Sequence, residues 1–254
     1  MNIEQTVVVI TGGGSGIGAA TARHLASLGA IVALIDQNGE AAQAVADEIH
    51  GLAFTADVTN SDQVSEALNT IQTQLGPLRV VINCAGIAPA KKIVGKQGAM
   101  PLADFERVVQ INLIGTFNVM RLAAALMTTN ELLDAEGNRG VIINTASIAA
   151  YEGQMGQTAY SASKAAIVGL TLPAARDLAR FGIRVMTIAP GLMETPLLQA
   201  FPLDVQASLA ATVNFPKRLG RPAEFARLAA HIIDNDYLNS EVIRLDGALR
   251  MREK

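Results

Sequence analysis

The chain has one cysteine, Cys84, and no tryptophan. A solitary thiol excludes an internal disulfide and any metal site built on several cysteines. Histidine is scarce as well: His24, His50 and His231 are scattered along the chain and suggest no zinc cluster. Only 17% of residues are charged, and 20 basic against 23 acidic side chains leave a net charge of −3. That balance provides no basic face for nucleic acid. The start, MNIEQTVVVITGG, lacks both a basic n-region and a long apolar h-region, and no uninterrupted apolar run is long enough to span a bilayer. The expectation is a cytoplasmic protein with neither a nucleic-acid nor a membrane partner.

Apolar material is abundant. Half of the 254 residues are hydrophobic, enough for a sizeable core. Short β-branched runs at 6–11, 31–36, 52–58, 79–83, 140–146, 183–189 and 241–246 alternate with Ala-rich helical stretches at 16–28, 39–49, 61–74, 102–127, 158–180 and 222–234. Near-continuous apolar strands imply burial on both faces, so the pattern predicts a doubly wound, parallel, seven-stranded α/β sheet with helices on both sides. No linker interrupts the alternation, which predicts a single domain over 1–254.

Two segments break the rhythm. Residues 86–101 carry three lysines and three glycines, and residues 190–221 carry four prolines and two short helical patches. Both leave the carboxyl ends of strands, where ligands bind in open α/β sheets, so both are expected to cover a small-molecule substrate. Helices 102–127 and 158–180 are apolar around most of their circumference, which a second subunit would explain. Pro173 is expected to kink or loosen the latter.

TGGGSGIG at 11–18 follows a strand and opens a helix, the context in which a glycine run becomes a Rossmann-type nucleotide signal. Gly12 permits the tight turn, Ser15 and Gly16 allow close backbone approach, and Gly18 lets helix pack on strand; the free amides of the helix N-terminus suit a pyrophosphate. Asp36 ends the second strand, where a carboxylate accepts from ribose hydroxyls and repels a 2′-phosphate, so NAD is expected over NADP. An ordinary alternative makes Asp36 the N-cap of the next helix. Asp57 and Val58 are placed to meet the adenine, and Asn83, Cys84, Ala85 and Gly86 lie beside the ribose. Cys84 reads as a packing residue rather than a redox thiol.

Tyr160 and Lys164 stand four residues apart in AYSASK, thirteen positions after Ser147. A phenol normally loses its proton at about pH 10. An ammonium one helical turn away favours the phenolate and is expected to lower that value. A serine hydroxyl nearby can hold a substrate oxygen while the tyrosine moves its proton. Singly, each residue has a bland explanation, as a turn cap or a surface helix pair. Jointly, beside a nucleotide pocket, they read as a device for alcohol–ketone oxidoreduction.

TGGGSGIG, Asp57-Val58, NCAG at 83–86, Asn112, Ser147, YSASK at 160–164 and Pro190-Gly191 occur in this order, and over essentially its whole length the chain resembles the short-chain dehydrogenase/reductase family. The run 140–192, with RLGRPAEFA and EVIRLDGALRM, is similar to the branch of type II 3-hydroxyacyl-CoA dehydrogenases, also described as type 10 17β-hydroxysteroid dehydrogenases. The resemblance implies an NAD-dependent homotetramer acting on acyl-CoA or steroid-like alcohols and ketones. It implies that Ser15, Ile17, Asp36, Asp57, Val58, Cys84, Tyr160, Lys164, Met193 and Thr195 contact NAD, with Pro190 at the same pocket. Ser147 would contact substrate, and Asn112 would secure a water that relays protons from Lys164 to solvent. Reduction of 3-oxoacyl groups on a carrier protein, and a non-catalytic dinucleotide sensor or assembly subunit, are the competing readings.

Overall fold

The computed structural model describes residues 1–199 and 202–253. Seven strands form one sheet: β1 (Val7–Thr11), β2 (Ile31–Asp36), β3 (Leu52–Thr55), β4 (Leu78–Asn83), β7 (Gly140–Thr145), β8 (Ile183–Pro190) and β9 (Val242–Leu245). Their spatial order is β3-β2-β1-β4-β7-β8-β9, and every pairing is parallel. The chain runs outward from β1 to β3, then returns to β4 on the other side of β1. That reversal opens a crevice above the carboxyl ends of β1 and β4.

The linking helices are α1 (Gly16–Ser27), α2 (Gly39–Ile49), α3 (Ser61–Leu75), α4 (Leu102–Val109), α5 (Thr116–Met127), α6 (Thr158–Ala179) and α9 (Pro222–Asp234). Alternate residues of each strand point to opposite faces, so Val7 and Val9 of β1 pack towards α3, α5 and α6, whereas Val8 and Ile10 pack towards α1, α2 and α9. Both faces are therefore covered, as the apolar strands require. The residue after β3 does not extend the strand to 58, because Asp57 folds back: its Oδ1 accepts from the Thr59 N–H at 2.9 Å. Helix α6 runs through Pro173 without a break in its assignment.

The two irregular segments have some structure of their own. Residues 86–101 contain a small antiparallel hairpin, β5 (Val94–Gly95) with β6 (Gly98–Ala99). The segment after β8 contains α7 (Pro196–Gln199) and α8 (Leu203–Ala211). Between α4 and α5 the backbone widens into a π-helical stretch, Gln110–Gly115. The helical stretch Leu102–Met127 is long and apolar enough to cross a membrane by length and composition, its most apolar 18-residue window having a mean hydropathy of 1.3. Half of that window is buried inside the fold, as in a core helix, and charged Asp104, Glu106, Arg107 and Arg121 interrupt the stretch.

Candidate active site

The glycine turn after β1 is built by close approach. Gly12 has φ of 66°, and a Cβ there would sit 2.8 Å from the Ala85 amide nitrogen. A Cβ on Gly18 would overlap the Gly12 carbonyl oxygen, so only glycine lets α1 lie against β1. Ser15 stands at the N-cap of α1 in extended backbone and makes no side-chain capping bond. The first-turn amides of α1 thus remain available to an anion.

A crevice of about 340 Å³ opens there, lined by Gly12, Ser15, Gly16, Ile17, Gly18, Asp36, Asp57, Val58, Cys84, Ala85, Gly86 and Thr195. Ile35, Gln37, Ala56, Ile87, Ile111 and Pro196 complete the wall. These six were not named as site residues from the sequence, although each sits next to one that was. Of the other residues expected at the nucleotide, Asn83 is buried instead in the sheet, where its Nδ2 donates to Asn144 Oδ1 at 2.9 Å. Pro190 is buried at the end of β8 beside Leu245. Met193 bridges to Gly220 and turns away from the crevice wall into a separate cavity of about 230 Å³. Tyr160 and Lys164 are not part of this wall either.

Asp36 braces the glycine turn: its Oδ2 accepts from the Gly14 N–H at 3.0 Å and its Oδ1 from the Asn38 N–H at 2.9 Å. It is not the N-cap of α2. That position belongs to Asn38, whose side chain accepts from the Ala41 N–H.

Strand β7 and helix α6 bring the hydroxyl groups together. Ser147 begins the 3-10 turn Ile148–Ala150, where its Oγ accepts from the Ala149 N–H at 3.1 Å. Tyr160, in the first turn of α6, lies where the Ser147 hydroxyl can favour its phenolate. Lys164 is 5% exposed; its Nζ donates to the Thr145 carbonyl at 2.7 Å and lies 5.9 Å from the centre of the Tyr160 ring.

The electrostatics differ from the expected scheme. Burial pushes the Tyr160 phenol above its ordinary value, and the group that opposes this is Ser147, whose hydrogen bond favours the phenolate. Lys164 is itself pushed down to about 8 by burial, with Cys84 a smaller opposing influence. The expectation that Lys164 lowers the Tyr160 value is therefore corrected. Helical spacing brought the two residues close, but the ammonium is anchored on a main-chain carbonyl and not on the phenol. Burial raises the Cys84 thiol to about 11, partly offset by a hydrogen bond from Thr145, so it remains an uncharged packing group.

Asn112 sits fully buried in the π-helical stretch. Its Oδ1 accepts from the Ile87 N–H at 2.8 Å, and its Nδ2 donates to the Ile87 carbonyl at 2.9 Å and to Ser163 Oγ at 3.1 Å. The carboxamide thus ties the loop after β4 to α6. Its main-chain carbonyl accepts from Thr116 Oγ1 at 2.8 Å. A second cavity of about 540 Å³ adjoins the crevice through Gly86 and Ile87, with Ala88, Pro89, Met100, Val108 and Ala159 as apolar walls. At its edge Lys91 is ion-paired with Asp104.

Comparison with known proteins agrees with this geometry. A family model described as short chain dehydrogenase matches residues 6–206. The chain is 54% identical to a 3-hydroxyacyl-CoA dehydrogenase type-2 of Bos taurus, over 99% of this chain and 97% of that protein. It is 51% identical to the protein of the same name from Drosophila melanogaster, over 98% and 99%. A crystal structure of 3-hydroxyacyl-CoA dehydrogenase type-2 from Mycobacterium avium superposes with a TM-score of 0.94 at 42% identity, covering all of both chains. The chain belongs to the short-chain dehydrogenase family and is an oxidoreductase that interconverts an alcohol and a ketone with a nicotinamide dinucleotide.

Proposed function

We propose that the chain is an NAD-dependent 3-hydroxyacyl-CoA dehydrogenase that also accepts steroid-like secondary alcohols. The observation that carries this reading is the grouping of Ser147, Tyr160 and Lys164, with the Lys164 Nζ 5.9 Å from the Tyr160 ring centre and anchored on Thr145, next to a crevice built on glycine backbone. The names of its relatives support the acyl-CoA substrate.

The residues present fit a dinucleotide. The turn at Gly12 and Gly18 has no room for a side chain, and the uncapped start of α1 offers amides to a pyrophosphate. The crevice wall contains Asp36 and Asp57 but no lysine or arginine. A carboxylate at the end of β2 accepts from ribose hydroxyls and repels an added phosphate, which favours NAD over NADP. When bound, the nicotinamide supplies the two-electron acceptor for the alcohol carbon.

The chain's own residues handle the proton. Tyr160 takes the hydroxyl proton as general base, or returns it as acid in the reverse direction. Ser147 donates its single hydroxyl proton to the substrate oxygen, fixing the angle of approach. Lys164, held on Thr145, carries positive charge below about pH 8 and stands 5.9 Å from the centre of the Tyr160 ring. Asn112 locks the floor under these groups by joining Ile87 to Ser163. The cavity beside Ile87, apolar except for Lys91, Asp104 and Arg107, suits an acyl chain or a steroid edge, and its apolar walls discriminate weakly, at about 1–3 kcal/mol per methylene.

Turnover with acetoacetyl-CoA tests the assignment. NADH should be consumed, with kcat/KM roughly a hundredfold above that with NADPH, equivalent to about 2.7 kcal/mol of discrimination. Equal use of both nucleotides would remove the role given to Asp36, and no turnover of any 3-oxoacyl-CoA would remove the substrate class.

A further inference from the structure

The end of the chain grips the segment between Ser147 and Tyr160 at one point. Arg244 presents its guanidinium edge to Glu152: Nη1 donates to Oε1 at 2.9 Å and Nη2 to Oε2 at 3.1 Å. Arg244 Nε donates to Asp246 Oδ2 at 2.7 Å, and Arg250 lies 3.3 Å from Glu152 and 3.2 Å from Asp246. The ring of Tyr151 faces the Arg244 guanidinium at 5.2 Å. Main-chain bonds add to the hold, from the Met251 N–H to Glu152 Oε2 at 3.2 Å and from the Met155 N–H to the Glu253 carbonyl at 3.0 Å.

An ordinary surface ion pair contributes little to stability, because water screens it. This one is shielded: the side chains of Arg244, Glu152 and Asp246 are 23%, 21% and 7% exposed. The two-pronged contact fixes orientation as well as distance.

Its placement gives that rigidity a purpose. The Glu152 N–H donates to the Ile148 carbonyl at 3.0 Å, within the turn that Ser147 begins. The next residue, Gly153, lies so close to Ser161 that a Cβ on it would overlap Ser161 Oγ. Ser161 directly follows Tyr160. One short segment therefore bears on the serine from one side and on the tyrosine's neighbour from the other.

We propose that Arg244, acting through Glu152, is a positioning residue that holds Ser147 and Tyr160 in hydrogen-bond register for proton transfer. The proposal rests on the roles given above to Ser147 and Tyr160. Neither Arg244 nor Glu152 reaches the nucleotide crevice, so their loss should spare nucleotide binding.

The test uses the full chain with Arg244→Gln, Glu152→Gln, the double variant and Arg244→Lys, assayed with acetoacetyl-CoA and NADH. For either single Gln variant kcat should fall about ten- to a hundredfold, the range expected from a small misplacement of reacting groups. NADH affinity, read from the fluorescence of the nucleotide, and KM for acetoacetyl-CoA should stay within about twofold. The double variant should be no worse than the weaker single by more than about threefold, since both remove one contact. Arg244→Lys should recover part of the lost kcat. An unchanged kcat overturns the proposal; so does a loss of kcat, NADH affinity and melting temperature in step, which marks a general brace. Should Arg244→Gln fail to fold, Glu152→Gln reads the same contact while leaving Arg244 on Asp246. A parallel Tyr160→Phe arm separates the two levels: if that variant stays active, the underlying assignment fails, whatever the Arg244 variants do.

Discussion

Ser147, Lys164 and Asn112 are each 8% exposed or less, whereas α8, in the segment after β8, buries no residue and leaves Leu203 82% exposed. Residues 89–99 are likewise exposed throughout. The buried groups are tied by hydrogen bonds to several elements: to the main chain of β7 at Thr145 and of the loop after β4 at Ile87, and to the Ser163 hydroxyl on α6. Near its ends the α7–α8 segment is held by the Met193–Gly220 bridge, by the Phe215 N–H donating to the Gly247 carbonyl at 3.2 Å and by Asn214 Nδ2 donating to the Ala248 carbonyl at 2.9 Å. Proton chemistry needs groups whose positions do not wander. Substrate choice needs surfaces that admit and release bulky molecules. The contrast in packing suits the floor to the proposed proton chemistry and the overhang to the proposed substrate recognition, and that division can be broken from either side.

The largest effect belongs to the floor. Tyr160→Phe removes the proton carrier without opening a void, so kcat should fall about a thousandfold while NADH affinity stays within about twofold. A kcat within tenfold of the parent would end the acid–base role of the phenol. Next comes the cost of keeping a charge buried. Lys164 has its folded value at about 8, below the ordinary lysine value, so above that pH the unfolded chain binds more protons than the folded one. Stability should therefore rise from about pH 8 towards the ordinary lysine value near 10.4, by up to roughly 3 kcal/mol. Tyr160, displaced upward, works the other way only once the unfolded phenol ionises, near or above about pH 10. Lys164→Met should abolish turnover, raise the melting temperature at neutral pH and flatten that slope. Urea unfolding at a series of pH values measures it; a destabilised Lys164→Met protein with the slope intact would show that the ammonium is not under strain.

Much of the floor was legible in the sequence because its signals are local. The glycine run sits between a strand and a helix, YSASK places Tyr160 and Lys164 on one helix face, and the apolar strands alternate with helices along the chain. What escaped depends on contacts between distant residues. Glu152 and Arg244 are 92 positions apart, and no periodicity announces their pairing. The π-helical stretch at Gln110–Gly115 has the composition of any apolar helix; what marks it is Asn112 bonding to Ile87, 25 positions away. Helical spacing correctly brought Lys164 near Tyr160, but it carried no information on which acceptor the ammonium chooses. Asn83 lies next to crevice-lining Cys84 in sequence, yet the strand pleat turns it into the sheet, and Pro190 is paired with Leu245 at the end of β8.

A third change addresses the nucleotide at the edge of the floor. Asp36→Asn keeps a side-chain oxygen for the Gly14 or Asn38 amide and removes the charge. The preference for NADH over NADPH should shrink about ten- to thirtyfold, worth about 1.4–2 kcal/mol, with kcat on NADH little altered. A preference unchanged in that variant would place the discrimination elsewhere in the crevice.

The smallest effect should come from the overhang. Lys91, Lys92 and Lys96 bring positive charge to the overhang that could meet the phosphates of coenzyme A, but Lys91 is ion-paired with Asp104, at half exposure on both sides. That pairing leaves less of its charge to offer, and exposed lysines act on a phosphate mainly through a screened field. Lys91→Glu with Lys92→Glu should raise KM for acetoacetyl-CoA only about threefold, with kcat unchanged and the difference fading as salt rises past the screening range. A small uncharged ketone should show no change in KM. A loss of kcat in this variant would mean that the 86–101 segment reaches the reacting groups, and the separation between chemistry below and recognition above would no longer hold.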